Sequence, residues 1–216
     1  MRKITVRYAT SSTFKRQEVA EILITVDIDG PRGRPLRAGD AFDFEFLSVA
    51  TDEPLERDLE TMVRHKVRSA YRRIMAPCIV EHAGLVLERF NTVSYPGGLT
   101  QPMWDAVGAE GFVESMRWAG NRAIARAVVG YCDGLCLRTF VGETRGTMVS
   151  KPRGSRSFYW DTVFCPDGGG NLTYAEISDQ DGGLDRKVAL SQSTKAMMAC
   201  LRHLLAQSSV MFPDMY

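Results

Sequence analysis

Alternating apolar and polar residues open the chain and then give way to a helical repeat. The segment ITVRYA alternates over residues 4–9, which predicts a short strand. Small polar residues follow at 10–13, and a helix is predicted from about residue 14 to residue 23. This order is common in phosphate sites, because free N–H groups at the start of a helix face the anion. An ordinary N-capped helix would show the same pattern.

A second apolar stripe has helical spacing and contains one charge. From Leu59 to Ile74 apolar residues recur every three or four positions, which predicts one face of a helix whose first turn would hold Pro54. Lys66 is the only charged residue in this stripe. The periodicity favours a lysine that extends along the edge of the stripe to solvent. The alternative is an ammonium group directed into a cleft.

The rest of the chain alternates between strand-like and helix-like segments. Residues 78–80 are predicted to form a buried strand that ends at 81–84, and ionisable residues at the carboxyl end of a strand are a common site position in α/β sheets. Residues 29–40 are rich in Gly, Pro and Arg, which predicts an inserted loop or hairpin tip. This alternation predicts an α/β fold with a mixed sheet. The other predicted elements are strands at 41–50, 126–131 and 135–141, a Gly-rich strand before a loop at 151–161, and helices at 103–118 and 191–205.

Composition limits the class of protein without identifying its chemistry. The 216 residues carry a formal net charge of +1, which excludes a nucleic-acid-binding protein that works through bulk positive charge. No stretch is long enough to span a bilayer, so no membrane partner is expected. The five cysteines form no C-x-x-C pair, so we expect no structural zinc site and infer a reducing compartment. We therefore expect a cytoplasmic protein with one domain over residues 1–216.

Short motifs follow one another in order between about residue 4 and residue 205. The most specific lie in the second half, where residues 151–154 read KPRG and residues 157–164 read SFYWDTVF. The others are 9–15 (ATSSTFK), 80–85 (VEHAGL), 91–97 (NTVSYPG), 142–146 (GETRG), 166–168 (PDG), 173–176 (TYAE) and 187–193 (KVALSQS). In this order they resemble the motifs of the inosine triphosphate pyrophosphatase family, whose members hydrolyse non-standard purine nucleoside triphosphates to the monophosphate and pyrophosphate.

The resemblance implies a phosphate site and a metal site. Residues 9–15 are similar to the family's T-G-N-x-x-K loop, with Ser11 and Ser12 in place of Gly and Asn. Residues 80–85 are similar to V-E-D-S-G-L, with His82 in place of the Asp that serves as magnesium ligand or general base. The implied residues are Thr10, Ser11, Ser12, Lys15 and Lys66 for phosphate binding, Glu53, Glu81 and His82 for the metal, and Lys66, Glu81 and His82 for catalysis.

The resemblance also implies a base pocket in the second half of the chain. Residues 157–164 are similar to F-G-[YW]-D-P-x-F, which makes Phe158 and Trp160 the implied stacking pair, with core packing as the alternative. Residues 187–193 are similar to K-N-A-L-S-H-R, but Gln192 and Ser193 replace the His and Arg that help to read a 6-oxo purine. These replacements predict altered base selectivity. The implied base-binding residues are Phe158, Trp160, Asp161, Lys187, Gln192 and Ser193.

The resemblance also implies a fold, an oligomeric state and a cofactor. An elongated mixed sheet flanked by helices would form two lobes with a nucleotide cleft between them, and the chain would form a homodimer. The expected cofactor is Mg²⁺, because carboxylates are hard oxygen ligands. Mn²⁺ is an alternative, because an imidazole at position 82 suits Mn²⁺ or Zn²⁺ better than Mg²⁺.

His82 leaves three interpretations open. It is a substitute general base, a residue that selects another metal, or the mark of a nucleotide binder without activity. An unperturbed imidazole has a pKa of about 6.5 and can accept a proton at neutral pH. If His82 leaves the metal, Glu81 is the nearest replacement ligand. The first functional hypothesis is a nucleoside triphosphate pyrophosphatase, and the alternatives are a nucleotide-binding relative without this activity or a hydrolase acting at another bond, such as the N-glycosidic bond.

Overall fold

One mixed sheet organises the chain. The computed structural model describes residues 3–30, 34–155 and 158–211, with side chains as far as residue 208. The strands are β1 (Ile4–Ala9), β2 (Asp27–Asp29), β3 (Pro35–Arg37), β4 (Phe42–Leu47), β5 (Cys78–Leu87), β6 (Arg122–Cys132), β7 (Leu137–Met148) and β8 (Phe164–Pro166). The helices are α1 (Thr13–Thr25), α2 (Ala38–Ala41), α3 (Leu59–Ile74), α4 (Thr100–Met116), α5 (Tyr174–Ser178), α6 (Gly183–Leu190) and α7 (Gln192–Met211).

The six-stranded sheet has the order β4-β1-β5-β6-β7-β8. β1 pairs parallel with β4 and β5, and the remaining pairs are antiparallel. The predicted α/β class and mixed sheet are therefore confirmed. β2 and β3 form a separate antiparallel hairpin, as predicted for the segment 29–40, whose central residues 31–33 lie outside the described residues. None of the helices in the described ranges has the length and apolar character that crossing a membrane requires.

Helices cover both faces of the sheet. On one face α3 packs its apolar stripe against β5 and β6, with Val63 and Val67 next to Val80 and Val128. On the other face α7 packs against the alternate residues of the same strands. Because successive strand residues point to opposite faces, neighbouring positions of β5 contribute to different clusters. The helix predicted at 191–205 is confirmed, and its residues Met197, Cys200, Leu201 and Leu204 are all buried.

Two predicted boundaries are wrong in ways that affect the site. α3 begins at Leu59, where the Asp58 carboxylate caps the helix by accepting a hydrogen bond from the Thr61 N–H, so Pro54 lies in the loop before it. β5 does not end at residues 81–84 but continues to Leu87, because β6 pairs with it along its whole length. Glu81 and His82 are therefore consecutive residues inside a strand, and their side chains point to opposite faces.

Candidate active site

The predicted phosphate loop lies between β1 and α1 and forms one side of a cleft. The Ser12 hydroxyl caps α1 by accepting a 3.3 Å hydrogen bond from the Lys15 N–H, and the Thr10 hydroxyl accepts one from the Ser12 N–H. The N-terminus of α1 therefore lies at the cleft, and such a position suits the binding of an anion. The cleft has a volume of about 480 Å³ and is also lined by Val49, Thr51, Glu53, Lys66, His82, Ala83, Gln101 and residues 158–160.

Two lysines converge on the floor of this cleft. The ammonium groups of Lys15 and Lys66 donate to the same main-chain oxygen, that of Glu81, over 2.9 and 3.3 Å. Burial and the nearby charge of Lys15 lower the pKa of Lys66. These contacts direct Lys66 into the cleft. The periodicity favoured a lysine that extends to solvent, and that interpretation is wrong. Two cations held at one point provide the positive potential that a polyphosphate requires.

Glu53 and His82 meet beside these lysines. Oε2 of Glu53 lies 3.4 Å from Nδ1 of His82, and its other carboxylate oxygen lies 3.0 Å from Nζ of Lys66. The hydrogen bond from His82 holds the pKa of Glu53 far below its usual value, with the Lys66 charge assisting. Burial lowers the pKa of His82, so the ring is neutral at neutral pH. With Nδ1–H assigned as the donor to Glu53, Nε2 is left as a basic nitrogen. It is buried from solvent and has no hydrogen-bond partner among the described residues.

Glu81 faces away from this group. Its carboxylate accepts hydrogen bonds of 2.8 Å from the hydroxyls of Tyr8 and Ser193 and lies 3.9 Å from the Lys15 ammonium. Burial raises the pKa of Glu81, but the Lys15 charge and these hydrogen bonds outweigh it and lower the pKa overall. The structure therefore brings Glu53 and His82 together and leaves the third predicted metal ligand behind the strand, outside the residues that line the cleft.

The donor set decides what kind of metal site could exist. Among the described residues no three His, Cys, Asp or Glu side chains are grouped as a protein-only metal cage. Mg²⁺ does not need one, because it commonly keeps several waters and binds one or two carboxylates together with substrate phosphates. The Glu53 side chain is 40 % exposed in the cleft beside the phosphate loop. These residues fit a divalent ion that arrives with its phosphate ligands.

A second cavity of about 260 Å³ adjoins the cleft and shares Phe14 and Phe158 with it. The Lys187 ammonium lies in its wall, 2.6 Å from Asp161 and 3.0 Å from Glu18, and 5.3 Å from the centre of the Phe158 ring. Burial raises the pKa of both carboxyls. The predicted residues Phe158, Asp161 and Lys187 therefore meet in one place.

Glu18 belongs to this group although none of the sequence motifs includes it. A signal was available, because Glu18 follows Lys15 by three residues in α1 and so lies on the same side of the helix. With Asp179, three acidic side chains and one lysine line this cavity, so its wall is acidic. A base edge that offers N–H donors suits such a wall.

The other predicted base-binding residues lie elsewhere. Trp160 is 4 % exposed and packs against Phe164 in the core, although part of it lines the cleft beside Phe158. Gln192 is buried and accepts a 3.0 Å hydrogen bond from the Tyr174 hydroxyl. Ser193 donates to Glu81. Neither residue 192 nor residue 193 lines either cavity.

Comparison with known proteins gives a consistent family and fold. The sequence profile of the Ham1 family matches residues 6–203. The chain is 31 % identical over 194 residues to a protein of Methanopyrus kandleri named dITP/XTP pyrophosphatase, covering 89 % of this chain and 92 % of that protein. It is 29 % identical over 180 residues to a Scheffersomyces stipitis protein named inosine triphosphate pyrophosphatase, covering 82 % and 88 %. A HAM1 protein structure from Coxiella burnetii superposes with a TM-score of 0.68 at 18 % identity, covering 94 % of this chain and 99 % of the other.

Proposed function

The chain belongs to the Ham1 family, and from that premise we propose that it hydrolyses a purine nucleoside triphosphate to the monophosphate and pyrophosphate. The family resemblance predicted from the motifs is confirmed by this membership. The observation that supports the activity best is the convergence of Lys15, Lys66 and Glu53 next to the phosphate loop. These groups match the charge of a triphosphate that carries a divalent ion.

The phosphate chain would lie along the N-terminus of α1 and over the two ammonium groups. The N–H groups of the first turn of α1, after Ser12, and the ammonium groups of Lys15 and Lys66 would bind the phosphate oxygens. The same groups would stabilise the negative charge that develops on the departing pyrophosphate. Glu53 would hold a divalent ion, which supplies charge neutralisation to the phosphates when bound. We propose Mg²⁺ as this ion, with Mn²⁺ tested beside it because of the imidazole at position 82.

His82 is the proposed general base. Its lowered pKa keeps the ring neutral, and the Nδ1–Glu53 contact leaves Nε2 as the proton acceptor, so the attacking water has to reach this buried nitrogen. Water attacks the α-phosphorus and breaks the bond to the bridging oxygen, and its proton passes to His82. Glu53 would then both bind the ion and orient the imidazole of His82. This assignment leaves Glu81 as the residue that positions Lys15 rather than a metal ligand.

The base would stack on Phe158 and present its edge to Asp161, Glu18 and Lys187. The Lys187 ammonium is shared by two carboxylates, so the wall retains acceptor capacity and excess negative charge. We propose that base selectivity differs from that implied by the resemblance, favouring purines whose edge carries N–H donors over anionic bases. The buried positions of Gln192 and Ser193 support this proposal, because neither side chain is available to replace a His-Arg reading pair.

Two further properties complete the proposal. We propose a homodimer on the basis of the resemblance, which light scattering at several protein concentrations would test. A cytoplasmic location is supported by the five cysteines, which are all free. The activity itself is tested by measuring pyrophosphate and monophosphate release from inosine, xanthosine, guanosine and adenosine triphosphates with Mg²⁺, with Mn²⁺ and after chelation. Binding without any product would support a nucleotide receptor instead.

A further inference from the structure

One hydrogen bond joins α4 to the aromatic residues 158–160, which form part of the cleft wall. Gln101, the second residue of α4, donates from Nε2 to the Tyr159 hydroxyl oxygen over 3.0 Å. Both side chains line the same cleft as the phosphate loop and Phe158. The Tyr159 ring meets the Phe158 ring edge-on at 5.5 Å and is 39 % exposed. The motif that this segment resembles has glycine at this position, so the present chain adds a phenol to the wall.

The pair keeps one donor and one acceptor for a ligand. Within the described ranges this mutual bond is the only hydrogen bond of the two side chains, so the Tyr159 O–H proton and the Gln101 amide oxygen both remain free. If the amide is rotated, Tyr159 donates to it instead, and the pair still offers an amide donor and a phenol oxygen. One donor beside one acceptor matches two neighbouring hydroxyl groups, each of which donates and accepts.

In a nucleoside triphosphate the sugar lies between the base and the phosphates. The proposed phosphate site is at residues 10–15, the proposed stacking ring is Phe158, and Gln101 and Tyr159 line the cleft that contains both. Resting on the proposed function, we propose that Gln101 and Tyr159 bind the vicinal sugar hydroxyls and make the protein select ribonucleoside over 2′-deoxyribonucleoside triphosphates. Loss of one neutral hydrogen bond to the 2′-hydroxyl corresponds to a preference of about three- to tenfold.

The test compares kcat/KM for inosine triphosphate and its 2′-deoxy analogue in four proteins. The wild type should prefer the ribonucleotide by about three- to tenfold, and Tyr159→Phe and Gln101→Leu should each bring the ratio close to one. Tyr95→Phe is the matched control, because it removes a phenol hydroxyl that contacts Met103 and is not in the cleft. Its ratio should equal that of the wild type. Thermal unfolding of each variant separates a sugar effect from a folding effect.

The outcomes keep the sugar proposal distinct from the proposed function. A wild-type ratio near one, or a wild-type ratio retained in both cleft variants, overturns the sugar site while pyrophosphate release upholds the proposed function. If no pyrophosphate is released, the proposed function fails, and the ratio of dissociation constants of the two nucleotides, measured by calorimetry, decides the sugar site by the same criteria. If neither nucleotide binds, both proposals are overturned.

Discussion

The hydroxyl of Ser193, the second residue of α7, donates a 2.8 Å hydrogen bond to the buried carboxylate of Glu81 on β5. Together with the hydroxyl of Tyr8 it occupies both carboxylate oxygens, and the Lys15 ammonium lies 3.9 Å away. A position that the resemblance assigns to base reading is therefore used here to hold a carboxylate behind the phosphate lysine. Glu81 is therefore expected to position Lys15 rather than to bind the metal, and Ser193 is expected to hold Glu81 rather than to contact the base.

Glu81→Gln should weaken substrate binding without changing the need for metal. Removing the charge weakens the hydrogen bonds from Tyr8 and Ser193, each of which contributes about 1.5–3 kcal/mol to a charged acceptor, and takes away the carboxylate 3.9 Å from the Lys15 ammonium. We expect KM for the triphosphate to rise about tenfold or more, while the Mg²⁺ concentration for half-maximal rate stays at the wild-type value. Ser193→Ala is the milder companion variant. A higher metal requirement in Glu81→Gln would return Glu81 to the metal site.

Glu53→Gln should raise the metal requirement. The substitution keeps the size of the side chain but removes the proposed oxygen anchor of the ion, so we expect the Mg²⁺ concentration for half-maximal rate to rise by at least about tenfold. Titrating Mg²⁺ and Mn²⁺ at saturating nucleotide measures this shift. Glu45→Gln, which breaks a surface ion pair with Arg7, is the control and should leave the titration unchanged. An unaltered metal titration in Glu53→Gln would exclude Glu53 as the anchor.

His82→Ala should lower kcat more than KM. A lost general base typically costs about 10²–10⁴-fold in rate, because proton transfer then depends on solvent. His82→Asp should retain more activity than His82→Ala, because a carboxylate at this position can accept a proton and is a better Mg²⁺ ligand. Steady-state rates at saturating nucleotide and metal measure both variants. Equal kcat in the wild type and His82→Ala would show that His82 takes no proton.

Lys187→Met should destabilise the protein strongly. It leaves the carboxylates of Glu18 and Asp161 buried without their shared cation, and breaking a buried ion pair in this way costs about 3–5 kcal/mol. Adding Asp161→Asn to Lys187→Met should recover part of the loss. Urea unfolding measures the free energy of unfolding for each variant. Lys195→Met, which removes a more exposed lysine bonded to Thr144, is the control, and an equal loss in that variant would contradict the account.

Much of the fold was predictable because local patterns determine it. The strand at 4–9, the Ser12-capped helix and the stripe from Leu59 to Ile74 follow directly from alternation, capping and helical spacing. α5 was missed because it is only five residues long, although Thr173 and Glu176 form a capping box whose T-x-x-E pattern is visible in the sequence. Short helices like this one are stabilised by their caps and contacts rather than by a periodic stripe.

The site was predictable in its residue types and less so in its pairings. The direction of Lys66 depends on Glu53, which lies in a loop before α3 and is brought there by tertiary packing. The separation of Glu81 from His82 depends on β5 continuing to Leu87, and this follows from pairing with β6, far along the chain. Sequence patterns show which residues share a local face, but they do not show which distant strand pairs with a segment and so lengthens it.

Product analysis tests most directly whether this protein is a nucleoside triphosphate pyrophosphatase. The protein would be incubated with purine and pyrimidine triphosphates, each with Mg²⁺, with Mn²⁺ and with chelator, and the products would be separated and quantified. We predict equal amounts of nucleoside monophosphate and pyrophosphate from at least one purine triphosphate, and only when a divalent ion is present. Free base, orthophosphate as the first product, or nucleotide binding without any product would contradict the account.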